Sequence, residues 1–378
     1  MVFKPIRILF TINNFDTAGM KYILYDIIKN IDRSLFEPSV CVKRDCDTKL
    51  NEEIRKLVKH YIILDCKKHD EMSYKEFLKK AFKSIRTLKK YKFDVQHSFN
   101  YSDDWTEGLI AKLAGHKWIY TKTNMNWGSG QWKIKSFFAD KIVCLSNAQK
   151  RIICKSNKLN KKVVLIPIGI NIKKFSFKRD KRIQYRKELG IKEGEFCLVC
   201  VANLVEVKGH KELLEAFSLN LKKHPNNKLV LVGGGTQEYT EKLQNLVKEL
   251  GINKKVIFLG KRTDVPDLLS AFDGFILPTR NIGRKEAFGA VLIEAMAAGL
   301  PVIGTRSGGP EDIIVPGKTG WLISPEGVEP IVKAIGELVS NKELRKTYAE
   351  NGLKRAREMF NLELMIKKHQ DLYLELNS

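Results

Sequence analysis

The stretch FCLVCVANLVEVKGHKELLEAF, residues 196–217, decides the fold. It opens with six apolar residues that do not alternate with polar ones, the pattern of a strand buried on both faces of a parallel sheet. A polar loop follows, with Gly209 near its end. Behind it Leu213, Leu214 and Phe217 recur at helical spacing. The same order restarts at KLVLVGGG, KVIFLG, GFILP, PVIGT and GWLI. In the first half it runs through RILFTI, PSVCV, YIIL, VQHSF, WIYTK and KIVCLS, with segments such as SYKEFLKKAFKSIRTLKKY carrying helical periodicity between them. Strand and helix alternating from end to end predict an α/β protein with two doubly wound parallel sheets. The aperiodic stretch LIPIGINIKKFSFKRD, residues 165–180, reads as the hinge. Domains are therefore expected over 1–175 and 176–360. The terminal segment 361–378 has a helix pattern and no following strand, so it must dock on something already built.

A chain of 378 residues accommodates two such domains. No apolar run approaches the length that crosses a bilayer, and no small-residue cleavage site follows the first apolar stretch; the expected location is cytoplasmic. Seven scattered cysteines do not make a disulfide framework, and the single pair Cys197 and Cys200 points to opposite faces of one strand. Nothing has metal-site spacing. The net charge of +24 is uneven, since residues 1–178 hold 36 Lys+Arg against 17 Asp+Glu. Such a field suits an acceptor bearing phosphates, an anionic membrane or a nucleic acid. No basic-aromatic recognition motif supports the last of these.

In open parallel sheets ligands sit beyond the carboxyl ends of the strands, so the following loops carry the chemistry. Gly19 opens a helix after the first strand, where amides can approach an anion. Lys208 stands at a helix entrance as a point charge for a diphosphate. Residues 233–235 give a close-approach turn. In KEAFGAVLIEAMAAGLPVIGT, residues 285–305, Glu286 leads into a helix read from Phe288 to Ala298 that also carries Glu294. At 1.5 Å per residue the two acids stand roughly 12 Å apart, about the span of a nucleotide sugar from hexose to ribose. Trp127 and Trp132 flank a Gly-Ser-Gly turn and suit either a sugar or bilayer loop or ordinary core. The lysines at 79, 80, 83, 89 and 90 fall on one helix and read as a solvated face.

VANLVEVKGHKELLEAF, the long run from LVLVGGGTQ to GFILPT, EAFGAVLIEAMAAGLPVIGTRSGGPEDIIVPGKTGWLI and IPIGINIKKF together resemble a family 4 glycosyltransferase, a retaining enzyme of the GT-B fold. The N-terminal half matches more loosely, through DTAG, DVQH and ADKIVCLSNAQK. The resemblance implies two Rossmann-like domains facing across a cleft, with the last helix returning to the first. It implies that Glu286 contacts the donor hexose near its anomeric centre, that Glu294 holds the ribose, and that Lys208 stabilises the departing diphosphate. Gly19 would meet the diphosphate from the opposite domain, and the backbone near Arg262 would hold the base. Asn203, Gly234, Ala287, Phe288, Gly289 and Ala290 complete the implied donor contacts.

The chain departs from the family pattern at Asn203, where Arg is usual. Arg284 or Lys285 could replace that charge. His97 is present, but Phe99 stands where a second histidine is common. His97 is therefore either an acceptor-side catalytic group or a packed core histidine. No cofactor and no metal are expected, because cations and helix amides can neutralise a leaving diphosphate. The expected activity is retaining transfer of a hexose or N-acetylhexosamine from a nucleotide diphosphate sugar, UDP favoured and GDP possible. The expected acceptor is a lipid-linked or cell-surface glycan at the inner face of an anionic membrane. A nucleotide-sugar epimerase and a non-catalytic nucleotide-sugar binder are the alternatives; a nucleic-acid role is not expected.

Overall fold

The computed structural model describes residues 4–16, 19–66, 72–125, 130–155, 157–283 and 285–378. Two compact units emerge, Met1–Ile168 with Glu363–Ser378, and Gly169–Leu362. The chain thus leaves the first unit at 168 rather than 175 and re-enters it at 363. The hinge stretch itself builds the second unit: Ile170 N donates to Phe360 O at 2.9 Å, and Leu362 N donates back to Ile170 O at 3.0 Å.

The first unit contains β1 (Ile6–Ile12), β2 (Phe36–Val42), β3 (Tyr61–Ile63), β4 (Val95–Ser98), β5 (Lys117–Lys122), β6 (Lys141–Cys144) and β7 (Val163–Leu165), in the order β3-β2-β1-β4-β5-β6-β7. The second holds β8 (Phe196–Val201), β9 (Asn227–Val232), β10 (Val256–Phe258), β11 (Gly274–Leu277), β12 (Val302–Thr305) and β13 (Gly320–Ile323), in the order β10-β9-β8-β11-β12-β13. All pairings are parallel, with Ile8 opposite Val95 in one sheet and Leu198 opposite Gly274 in the other. Each sheet reverses its winding once, between β1 and β4 and between β8 and β11. A doubly wound sheet opens a crevice beyond the strand ends at that point.

The cores follow from the apolar runs. In β8 Cys197, Leu198, Val199 and Cys200 are all buried, as an unalternating strand between two helical layers requires. All seven cysteines are free.

The helix Leu362–Asn377 completes the first unit's core. Its Tyr373 is fully buried, edge-on to Phe10 and Phe36, and its hydroxyl hydrogen-bonds His97 Nδ1 at 2.8 Å. Truncating so large a buried ring leaves a cavity and an unpaired imidazole nitrogen. Tyr373→Ala is therefore expected to destabilise the first unit by about 3 kcal/mol or more. A melting curve superimposable on that of the wild type would contradict this packing.

Candidate functional site

In the second unit, three loops meet beyond the carboxyl ends of β8, β11 and β12. The first runs from Ala202 through the short 3-10 turn Glu206–Lys208 to Gly209 and the helix His210–Leu221. Gly209 has φ +70°, and a Cβ there would lie 2.1 Å from the Pro278 carbonyl oxygen. Only glycine allows this approach, which presses the lysine turn onto the end of β11. The contact is stitched by Arg280 N donating to Val207 O at 2.8 Å, and by an Arg280–Glu212 ion pair at 2.6 Å.

Glu286 comes from the second loop. Its carboxylate oxygen Oε2 accepts from Lys208 Nζ, and Thr279 Oγ1 donates to the same oxygen at 3.2 Å. The third loop fixes its backbone: Glu286 and Gly308 form a parallel bridge, and Gly309 N donates to Glu286 O at 2.9 Å. The helix that follows starts at Ala290 rather than Phe288. The reason is local. Gly289 is left-handed at φ +90°, and Phe288 turns its ring into the core against Phe360. Phe288 can offer a ligand only its backbone. Leu292 N donates to Gly289 O at 2.9 Å, so the amides of Ala290 and Val291 are the open positive end that this helix presents beside Glu286.

Glu294 lies about one turn into this helix, half-buried, and its carboxylate has no hydrogen-bond partner among the described residues. Burial pushes its pKa up to about 7, with the charge of Lys174 pulling the other way. Gly233 closes the neighbouring turn at φ +152°, where a Cβ would strike the Ala202 carbonyl, and Gly234 O accepts from Leu204 N at 2.8 Å. Asn203 is exposed on that same loop. The Arg262 guanidinium is held by Asp264 at 2.6 and 2.8 Å and by Glu188 at 3.6 Å, which leaves its backbone as the group free for a ligand. Lys285 is exposed and unpaired among the described residues; Arg284 and Trp127 lie outside them. Ala287 is half-buried between Glu286 and Phe288.

The first unit has its own cleft of about 570 Å³ at the ends of β1, β2 and β4, lined by Asn14, Asp16, Lys21, Lys43, Arg44 and Tyr101. Gly19 starts the helix Gly19–Asn30 with open space where a Cβ would project. His97 is corrected by the structure. It is fully buried, with Nδ1 engaged by Tyr373 and Nε2 by Thr121 Oγ1 at 2.8 Å. Burial, reinforced by His369 beside it, drives its pKa well below the usual histidine value. It is a packed core group with no nitrogen left for an acceptor. Trp132 is likewise core, beneath Lys122 and Lys135.

The structure thus brings Lys208, Glu286, Gly289 and Ala290 together in one unit. Sequence reasoning missed Thr279 and the Arg280–Glu212 brace; a polar residue directly behind the apolar run of β11 was the one available signal.

The family model described as Glycosyl transferases group 1 matches residues 181–355, and that described as Glycosyltransferase Family 4 matches residues 17–174. The chain is 26% identical over 314 residues to the UDP-Gal:alpha-D-GlcNAc-diphosphoundecaprenol alpha-1,3-galactosyltransferase of Escherichia coli, covering 79% of this chain and 80% of that one. It is 35% identical over 200 residues to the N-acetyl-alpha-D-glucosaminyl L-malate synthase of Bacillus anthracis, 53% of this chain and half of that enzyme's length. Among solved structures, a glycosyltransferase of Rickettsia africae superposes with a TM-score of 0.85 at 22% identity, covering 99% of both chains. HepE of Anabaena in complex with UDP gives 0.84 at 19% identity, covering 98% of this chain and all of that one. At these identities the two structures establish the fold.

Glu294 carries a signature that needs no ligand. Below pH 4.5 it is protonated in both folded and unfolded chains; between about 4.5 and about 7 only the unfolded chain has released the proton. Its contribution to stability therefore falls as pH rises through that window. Glu294→Gln is expected to match the wild type near pH 4 and to melt higher near pH 8. Equal offsets at both pH values would refute the raised pKa.

Proposed function

The chain belongs to the family 4 glycosyltransferases of GT-B architecture, and we propose that it is a retaining enzyme that moves a hexose or N-acetylhexosamine from a nucleotide diphosphate sugar to a glycan. One observation carries this reading: the meeting of Lys208 and Glu286 beside a helix N-terminus, at the switch point of a parallel sheet. A cation and open amides suit a diphosphate, and a carboxylate suits the sugar next to it.

In this reading the donor diphosphate takes Lys208 from Glu286 and lies along the Ala290 amides. Glu286, released but still braced by Thr279, faces the hexose as positive charge develops at the anomeric carbon. The bond from that carbon to the phosphate oxygen breaks, with its electron pair leaving on the nucleotide. The phosphate oxygen then accepts the proton of the acceptor hydroxyl, which attacks the same face. Configuration is retained with no enzymic base, in keeping with the burial of His97. Lys208 and the helix amides carry the charge that a metal would otherwise neutralise, so chelator should leave the rate unchanged. Glu294 accepts from the ribose hydroxyls, and the backbone near Arg262 meets the base.

UDP is favoured over GDP, in line with the UDP held by the similarly folded Anabaena protein and the UDP-sugar in the name of the E. coli relative. That relative's diphosphoundecaprenol acceptor, together with the basic first 178 residues, supports a lipid-linked or polysaccharide acceptor at the cytoplasmic face of an anionic membrane. No helix among the described residues is long and apolar enough to cross a membrane.

The two carboxylates should fail differently. Glu286→Gln keeps shape and removes charge, so kcat should fall roughly a hundredfold with donor KM nearly kept, about 3 kcal/mol on the barrier. Glu294→Ala should chiefly raise donor KM. Lys208→Ala should abolish transfer without lowering the melting temperature. Initial rates and donor titrations test all three. Wild-type kcat in Glu286→Gln would reject the assignment, and bound donor without turnover in the wild type would favour a non-catalytic binder.

A further inference from the structure

We propose that the helical face of the first unit built by Tyr74–Tyr91, Thr106–Ala114 and Gln131–Phe138 is a docking surface for an acidic phospholipid bilayer. The inference sharpens the membrane part of the reading above and rests on it, but on none of the transfer chemistry.

These three helices connect β3 to β4, β4 to β5 and β5 to β6. All three crossovers step across the sheet in the same direction, so the right-handed rule sets them on one face. They pack side by side there. The helix Tyr74–Tyr91 buries Phe77, Ala81, Ser84 and Leu88 against the sheet. A second apolar stripe lies beside the first and stays in solvent: Tyr74 is 75% exposed, Leu78 54% and Phe82 72%. Their spacing of four keeps them on one side of the helix. Leu113, Ile134 and Phe137 of the neighbouring helices are exposed too, Phe137 to 74%. Phe82, Ile85 and Leu113 line a groove with Arg86, Lys89 and Lys90 at its rim.

Charge selects the occupant. Lys75, Lys79, Lys83, Arg86, Lys89 and Lys90 cover the adjoining arc of the same helix, and none makes an ion pair among the described residues. Glu76 is the helix's one acid, and it is engaged in capping Ser73. Six unpaired cations beside exposed aromatics repel a second copy of the same face. They match an anionic interface into which aromatic and aliphatic side chains can sink while the lysines reach the headgroups.

The test is co-sedimentation of the full chain with vesicles of equal parts phosphatidylglycerol and phosphatidylcholine, and with phosphatidylcholine alone, over a salt series. The wild type is expected to bind the acidic vesicles, weakening with salt, and to leave the neutral ones in solution. Phe82→Asp and Leu78→Asp should each weaken binding roughly tenfold. The triple variant Lys79→Glu, Arg86→Glu, Lys90→Glu should weaken it by at least roughly fivefold per cation. A charge-matched control in the second unit, Lys223→Glu, Lys242→Glu, Lys346→Glu, should bind as the wild type does. All variants sit at exposed positions and should melt with the wild type.

Acidic-vesicle binding that the first-unit variants leave intact would overturn the assignment of this face. A wild type that ignores both vesicles, binds them equally, or forms a dimer broken by Phe82→Asp would overturn the bilayer as its occupant. None of these outcomes touches donor binding, which a thermal shift with UDP reads separately.

Discussion

A cation and an anion held against each other by two different loops, Lys208 and Glu286, set the terms for the second unit. As an ion pair near solvent it adds little stability. Its importance is positional. Gly209 has no room for a side chain because the lysine turn must lie on the end of β11, and Gly309 donates to the Glu286 carbonyl because that carboxylate must not drift. Thr279 and the Arg280–Glu212 brace hold the same geometry from below. The two opposite charges thus satisfy each other. In the proposed donor site, an arriving diphosphate would replace one anion by another around a lysine already in place, with little reorganisation.

The contrast with Glu294 is instructive. Its carboxylate sits on the helix Ala290–Ala297, where burial outweighs the charge of Lys174. Two acids on one short segment therefore sit in different surroundings: Glu286 has a lysine and a threonine against its carboxylate, and Glu294 is drawn towards neutrality by burial.

Much of this was legible in the sequence because it is local. Unbroken apolar runs mark buried parallel strands, and glycines and charges behind them mark the loops beyond the strands' carboxyl ends, where the structure places Lys208, Glu286 and the turn at Gly234. What stayed hidden depends on distant packing. Nothing around His97 reveals that Tyr373, 276 positions later, covers it. The left-handed Gly289 delays the helix by two residues, a choice made by the core pocket that takes the Phe288 ring. The helix Tyr74–Tyr91 shows the same limit: its lysines read as a solvated face, but nothing local tells that Phe77, Ala81 and Leu88 are buried while Tyr74, Leu78 and Phe82 stay exposed.

The helix Leu362–Asn377 imposes an order of events on biosynthesis. The first unit's strands emerge early from the ribosome, but Phe10 and His97 remain uncovered until the last sixteen residues of that helix follow, after all of the second unit. Nascent first-unit chain must wait with its apolar floor open while some two hundred residues are translated, a stretch in which collapsed intermediates are prone to aggregate. The second unit, closed within its own contiguous segment, has no such delay. A synthesis rate of roughly 5–20 residues per second makes the wait roughly 10–40 seconds. The fold therefore couples completion of the first unit to synthesis of the second: a product that stops before Glu363 lacks the segment that covers the first unit's floor.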